Sequence, residues 1–310
     1  MAVIDQVRGP ADWRADQLAD GGRWRLTVDD AQRAELRAAV AAVEAAGVPL
    51  DGLSRADFPL PALGPELARL AAEVTGGCGI GLVRGLPVAG LTERGCELLA
   101  VGVAAHVGRL LGQGPDGAIL RHVRDRGADP DRPTTRSYEH RRGIGYHADP
   151  TDVVALLCVR PARSGGLSTV VSSVAVHNEV VRTRPDLARL LYQPWWYDRR
   201  TGDGPDSFGQ RPVYARDGDR LAAHYGPDYI RSAQRGAHVP PLTPAQREAM
   251  DTLDRLHADP RFSLGMDLRA GDMQFLDNGV VVHARTAYED HPEPERRRDL
   301  IRLWLDAGRR

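Results

Sequence analysis

GYHADPTDVVALLCV, residues 145–159, sets His147 and Asp149 two apart, just ahead of the apolar run Val153 to Val159. In an extended chain the side chains at i and i+2 emerge on one face, so one strand end can aim an imidazole and a carboxylate at a single point. Taken alone the pair says little. A chain with 10 histidines and 42 acidic residues produces such triplets by chance.

Working outward, the C-terminal stretch VVVHARTAYEDHPEPERRRDLIRLWLD, residues 280–306, carries His283 after an apolar run, then Arg298 and Arg302 flanking a second one. Two histidines and one carboxylate with open positions are the ligand set of non-haem Fe(II) oxygenases. On these residues the chain resembles the taurine dioxygenase and clavaminate synthase-like superfamily of Fe(II)/2-oxoglutarate oxygenases. The shared order is His-x-Asp (His147, Asp149), Gly-Gly-x-Ser (ending at Ser168), a distal histidine (His283), an arginine 15 residues later (Arg298) and another four on (Arg302). The resemblance runs from about residue 76 to the end.

The resemblance implies that His147, Asp149 and His283 hold Fe(II), with 2-oxoglutarate and O2 as cosubstrates. It implies that Arg298 and Ser168 bind the distal carboxylate of 2-oxoglutarate, and that Arg302 meets either the substrate's anionic group or the 2-oxoglutarate. A planar guanidinium suits a carboxylate because it gives two parallel charge-assisted hydrogen bonds. The implied reaction is hydroxylation, desaturation or cyclisation, with release of succinate and CO2. Asp149 argues against a halogenase, since family halogenases have a small residue there.

Composition sets outer bounds. The 310 residues are 42% hydrophobic, enough for a sizeable core, and the formal net charge of −1 offers no global field for nucleic acid or an anionic membrane. All 41 basic residues are arginine. Cys78, Cys96 and Cys158 are odd in number and widely spaced, which fits a reducing compartment better than a disulfide framework. The N-terminus lacks a signal-peptide pattern and no run of about 18 apolar residues occurs. We therefore expect a cytoplasmic protein acting on a small molecule, without nucleic-acid or membrane partners, and open to homo-oligomerisation.

In chain order, residues 1–26 are weakly patterned apart from Trp13 and Trp24 and read as a surface wrap. Leu36, Val40 and Val43 recur at helical spacing in a segment from Asp30 to Ala46, stopped by Gly47. A shorter helix is expected over Glu66 to Val74, a strand over residues 79–88, and a helix capped by Thr92 reaching about Leu111. The Gly-Ile-Gly of that strand has no Gly-Lys-Ser/Thr and is not read as a phosphate loop. Residues 112–145 read as a long loop around a short strand near Ala118 to Val123. Loops of this length in compact domains commonly cover a site, which makes Gln113, Arg121 and Tyr138 substrate-contact candidates.

Farther on, Ser168 to Ser173 reads as a strand, Ser173 as the cap of a helix to Val181, and Asp186 to Tyr192 as a further helical turn or two. Residues 193–212 read as a polar excursion, followed by a hairpin turning at Asp217 and Gly218. Thr243, Pro244 and Gln246 form a capping box for a helix ending near His257. Strands return at Met273 to Leu276, Val280 to His283 and Leu300 to Leu305.

This pattern supports a mixed α+β chain with an antiparallel sheet. The resemblance adds a double-stranded β-helix (jelly roll) core with N-terminal helices and helical inserts. We expect one domain over 1–310, mainly helical over 1–75 and jelly roll over 76–310. Three function classes compete: an oxygenase, a metal-dependent hydrolase and a non-catalytic jelly-roll binding protein. No His-Glu-x-x-His and no second carboxylate cluster supports the hydrolase, and no ligand of the ordered set is missing as the binding protein would require. The expected substrate is small and polar, amino-acid-like or carboxylate-bearing.

Overall fold

The computed structural model describes residues 4–114, 116–129, 135–200 and 204–308. Two β-sheets face each other. In chain order their strands are β1 (Arg25–Thr27), β2 (Ile80–Arg84), β3 (Arg109–Leu111), β4 (Leu120–Val123), β5 (Ile144–His147), β6 (Val153–Arg160), β7 (Ser168–Ser172), β8 (Ser263–Met266), β9 (Met273–Asp277), β10 (Val281–Arg285) and β11 (Asp299–Asp306). The larger sheet runs β1-β2-β9-β6-β11-β3, with β4 also paired to β11, and the smaller runs β8-β7-β10-β5. Every pair within these two sheets is antiparallel except β1 with β2.

Strand alternation divides the larger sheet into two faces. Val153, Ala155, Leu157, Phe275, Ile301 and Leu303 turn outward onto helices α1 (Asp30–Ala46), α2 (Gly64–Gly76) and α3 (Glu93–Ala104). Val154, Cys158, Leu276 and Leu300 turn inward with Val170 and Val282 of the smaller sheet. Both faces of β6 are covered, which is why its sequence is an unbroken apolar run. At one end the inter-sheet space is polar: Ser168, Gln274, His283, Arg285 and Arg298 are all buried there.

Helix α1 follows the capping logic of its sequence, with Asp29 accepting from the Gln32 N–H and Gln32 from the Asp29 N–H, and Gly47 ending it in a left-handed conformation. The helix capped by Thr92 stops at Ala104, short of the expected Leu111. Sheet pairing overrides propensity here: residues 109–111 become β3 against β11, and a Cβ at Gly108 would sit 2.8 Å from the Asp306 carbonyl oxygen, so only glycine permits that approach. Ser172, not Ser173, caps α4 (Ser173–Thr183), its hydroxyl accepting from the Ala175 N–H. Next come α5 (Pro185–Leu191), α6 (Pro227–Ala233) and α7 (Pro244–Ala258), the last with the expected Thr243–Gln246 capping box.

The N-terminal wrap is more firmly held than expected. Trp13 and Trp24 are buried, Trp13 donating from Nε1 to the Cys78 carbonyl at 2.8 Å. The hairpin expected at Asp217–Gly218 forms between Tyr214–Asp217 and Arg220–Ala223. The supposed excursion before it is itself a hairpin, Trp195–Asp198 paired with Phe208–Arg211, packed against α6. All three cysteines are buried and free, and burial pushes the Cys78 and Cys158 thiols up to about 12. Among the described residues no helix is long and apolar enough to cross a membrane.

Candidate active site

His147 is the last residue of β5 in the smaller sheet, and Asp149 lies in the crossing that leads to β6 in the larger one. The pair therefore does not project from one strand end, as its spacing suggested. It sits where the chain changes sheets, and the Asp149 N–H is fixed by the Asn278 amide oxygen at 2.8 Å. His283, on β10, is the direct cross-strand partner of His147, with ring centroids 4.3 Å apart. The ligand-type atoms of His147, Asp149 and His283 all lie within 4.8 Å of one another.

The protonation states suit a divalent cation. His147 donates from Nδ1 to the Gly145 carbonyl at 2.8 Å, leaving the Nε2 lone pair available. Burial, reinforced by His147, pushes the His283 imidazolium down to about 3, so the ring is neutral. Burial alone would raise the Asp149 carboxyl, yet Arg302, His283 and His147 hold it below its ordinary value. Its Oδ2 is buried with no hydrogen-bond partner. A buried acceptor beside two imidazoles is the donor set a metal would complete.

Arg302 stands next to this trio, its Nη1 3.8 Å from Asp149 Oδ1. Its Nε donates to Gln113 Oε1 at 3.0 Å, and its guanidinium lies over the rings of Tyr138 and Trp304. Gln113 is fully buried, and its Nε2 donates to the carbonyls of Ile119 and Arg302. Both ends of its amide are thus engaged by protein groups. Arg121 donates to the Gln113 carbonyl and pairs with Asp116. The expected substrate residues Gln113, Arg121, Tyr138 and Arg302 do line one cavity of about 390 Å³ together with His147 and Asp149, but Gln113 serves to position Arg302.

The remaining two expected residues sit elsewhere. Arg298 lines a neighbouring cavity of about 400 Å³ beside Cys158, Gly165 and Gly166. Ser168 donates from its hydroxyl to Gln274 Oε1 at 3.2 Å, so it would have to turn from that partner to reach a bound carboxylate.

Sequence reasoning passed over Arg285 and Tyr288. Arg285 is buried, spends Nη2 on the carbonyls of His140 and Arg142, and leaves Nε and Nη1 without partners. Its guanidinium and that of Arg298 both lie over the Tyr288 ring, at 4.8 and 4.9 Å. Burial and the nearby Arg298 push Arg285 down to about 10, and burial likewise lowers Arg298. Arg298 Nη1 and the Tyr288 hydroxyl are also buried without partners. Unsatisfied buried donors on two cations are costly unless an anion completes them, so this group fits a carboxylate-bearing cosubstrate. The available signal was the two-residue step from His283 to Arg285, which puts both on one face of β10.

The cavity's outer wall comes from the hairpin at 195–211 and from α6, through Tyr197, Arg199, Arg211 and Tyr229, with Arg136 from the loop before β5.

The family model described as taurine catabolism dioxygenase TauD, TfdA family, matches residues 45–304. The chain belongs to this family. FR-33289 synthase of Streptomyces rubellomurinus (strain ATCC 31215) is 28% identical over 312 residues, which cover 97% of this chain and 90% of that protein. Among solved structures, an asparagine oxygenase in complex with Fe(II), 2S,3S-3-hydroxyasparagine and succinate superposes with a TM-score of 0.69 at 18% identity, covering 92% of this chain and 94% of that one. The non-heme iron oxygenase OrfP with Fe and alpha-ketoglutaric acid gives 0.67 at 16%, covering 91% and 94%. As a TauD/TfdA-family member the protein is a non-haem Fe(II), 2-oxoglutarate-dependent dioxygenase.

Proposed function

We propose that this TauD/TfdA-family dioxygenase holds Fe(II) through His147, Asp149 and His283, binds 2-oxoglutarate through Arg298, and hydroxylates a small polar substrate bearing an anionic group at an unactivated carbon. The observation that carries the reading is the convergence of the three ligand atoms within 4.8 Å beside a set of buried, unpartnered cationic donors. Bound iron and 2-oxoglutarate would supply oxygen activation coupled to decarboxylation of the cosubstrate.

The protein's own contribution is placement. The Gly145 carbonyl holds the His147 tautomer, and Asn278 holds the crossing that carries Asp149. Arg285 and Arg298, stacked on Tyr288, would take the cosubstrate's distal carboxylate, with Ser168 joining once released from Gln274. Arg302, held by Gln113 between two aromatic rings, orients an anionic group in the main cavity. Tyr138, Tyr197, Tyr229 and Trp304 line the cavity and, with a substrate bound, would limit water at the reacting carbon.

The strand orders support a double-stranded β-helix as the finer description of the core, within one domain spanning the chain. An amino-acid-like substrate is supported by the hydroxyasparagine bound to the asparagine oxygenase and the (3S)-hydroxy-L-Arg bound to OrfP. A screen of amino acids and other small anions, reading succinate release above the substrate-free background, tests the reading. Stimulation by apolar polycyclic skeletons alone would overturn the polar-substrate part and leave the cofactor assignment standing.

A further inference from the structure

Five arginines line the main cavity, and their partners differ sharply. Arg302 is matched by Asp149 and Arg121 by Asp116. The guanidiniums of Arg136, Arg199 and Arg211 have no carboxylate partner among the described residues, the Glu139 carboxylate accepting only from the Arg136 backbone N–H. The other acidic groups of the cavity are engaged: Asp198 accepts from Arg235, from the Ser232 hydroxyl at 2.6 Å and from the Arg200 N–H at 2.8 Å, and Asp228 pairs with Arg231. Among the described residues the cavity thus has donor capacity to spare and little acceptor capacity, which disfavours an ammonium as the group recognised at this end.

Two of these cations are also packed closely in place. Arg211 lies over the ring of buried Tyr197 at 4.5 Å, and Tyr197 is tied through its hydroxyl to the His224 carbonyl. Arg199 crosses Gly209 so closely that a Cβ there would lie 2.5 Å from its Nη2, so glycine makes room for the guanidinium. Arg200, at φ 53°, stacks on Tyr229 and donates from Nη1 to the Thr135 carbonyl, joining the hairpin to the segment that carries Arg136.

We propose that the outer end of the substrate cavity is a subsite for a dianionic tetrahedral oxyanion, a phosphate ester or a phosphonate, held by Arg136, Arg199 and Arg211. The inference rests on the oxygenase reading of the same cavity and narrows its anionic group. Three guanidiniums left uncompensated by the described residues call for more than one negative charge. A tetrahedral group presents three terminal oxygens to donors approaching from two separate segments, whereas a planar carboxylate engages one fork at a time. Arg199 is exposed and Arg136 and Arg211 half-buried, so this charge also reaches solvent, where it attracts anions.

The test is calorimetric titration of the full-length protein, loaded anaerobically with Fe(II) and saturating 2-oxoglutarate, with methyl phosphate, methylphosphonate, acetate, methanesulfonate and glycine as probes. We expect both dianions to bind at least tenfold more tightly than the other three, and their relative affinities decide between ester and phosphonate. Arg211→Gln should weaken the dianions at least tenfold while 2-oxoglutarate affinity stays within twofold. Gly209→Ala, which displaces Arg199 and removes no charge, should weaken them severalfold. Acetate or glycine binding as tightly as methyl phosphate would overturn the proposal, as would unchanged dianion affinity in folded Arg211→Gln and Gly209→Ala proteins. Failure of the unmodified protein to bind 2-oxoglutarate in the loading step would instead sink the oxygenase reading beneath it.

Discussion

Two guanidiniums, Arg285 and Arg298, share the Tyr288 ring and keep three N–H-bearing nitrogens unpartnered in a buried space. Removing one partner of a buried charged pair costs about 3 to 5 kcal/mol, so Arg298→Ala is expected to weaken 2-oxoglutarate binding about a hundredfold or more. Arg285→Gln should cost less, about tenfold, because part of that side chain serves the carbonyls of His140 and Arg142. Anaerobic calorimetry of the two variants checks the order; a larger loss in Arg285→Gln would exchange their roles. Gln113 acts one step farther away. Gln113→Leu strips the acceptor from Arg302 Nε, and a hydrogen bond to a charged group is worth about 1.5 to 3 kcal/mol. Substrate KM should rise at least tenfold with 2-oxoglutarate affinity little changed, and steady-state kinetics varying each reactant separately would reveal a common shift if Gln113 were merely structural.

Strand β11 presents the site residues on one side and Asp299 on the other. There Asp299 accepts from His122 Nδ1 at 2.8 Å and Arg124 Nη2 at 2.7 Å, with Arg160 also near. Burial opposes its ionisation, but the His122 and Arg124 hydrogen bonds prevail and hold it at about 2. Burial likewise opposes protonation of His122, and the Asp299 bond prevails, raising it above 6.5. The Asp299 contribution is complete above its ordinary 3.8 and fades as pH falls toward 2. The His122 contribution is complete below 6.5 and fades as pH rises through the raised value. Asp299→Asn should therefore cost about 3 kcal/mol at pH 5.5 and less at pH 9.5. Urea unfolding at the two values reads this directly, and a pH-independent deficit would contradict it.

Elements of this kind also mark how far sequence reading reaches. Helices α1 and α7 carry complete local instructions in their caps and apolar spacing, and they form where expected. The end of α3 and the hairpin at 195–211 do not, because β3 exists only through pairing with β11 and the hairpin only through packing on α6. The metal-type residues were legible since their order along the chain is itself a pattern. Arg285, Tyr288 and the cavity arginines were not, since their meaning lies in which neighbours leave them unpartnered.

At the scale of the whole molecule, the larger sheet stands between two cores. Its outer face is a dry apolar layer against α1 to α3, while its inner face ends in Gln274, Arg298 and Arg302, opposite His147, His283 and Arg285 of the smaller sheet. The polar end tolerates its burial only if a cation and an anion complete it. Anaerobic titration of the Fe(II)-loaded protein with 2-oxoglutarate tests that account most directly. We predict one cosubstrate bound per chain, and loss of that binding in His147→Ala through loss of iron, with the fold retained by circular dichroism. Absence of 2-oxoglutarate binding to the unmodified, iron-loaded protein, or equal binding when His147 is removed, would contradict it.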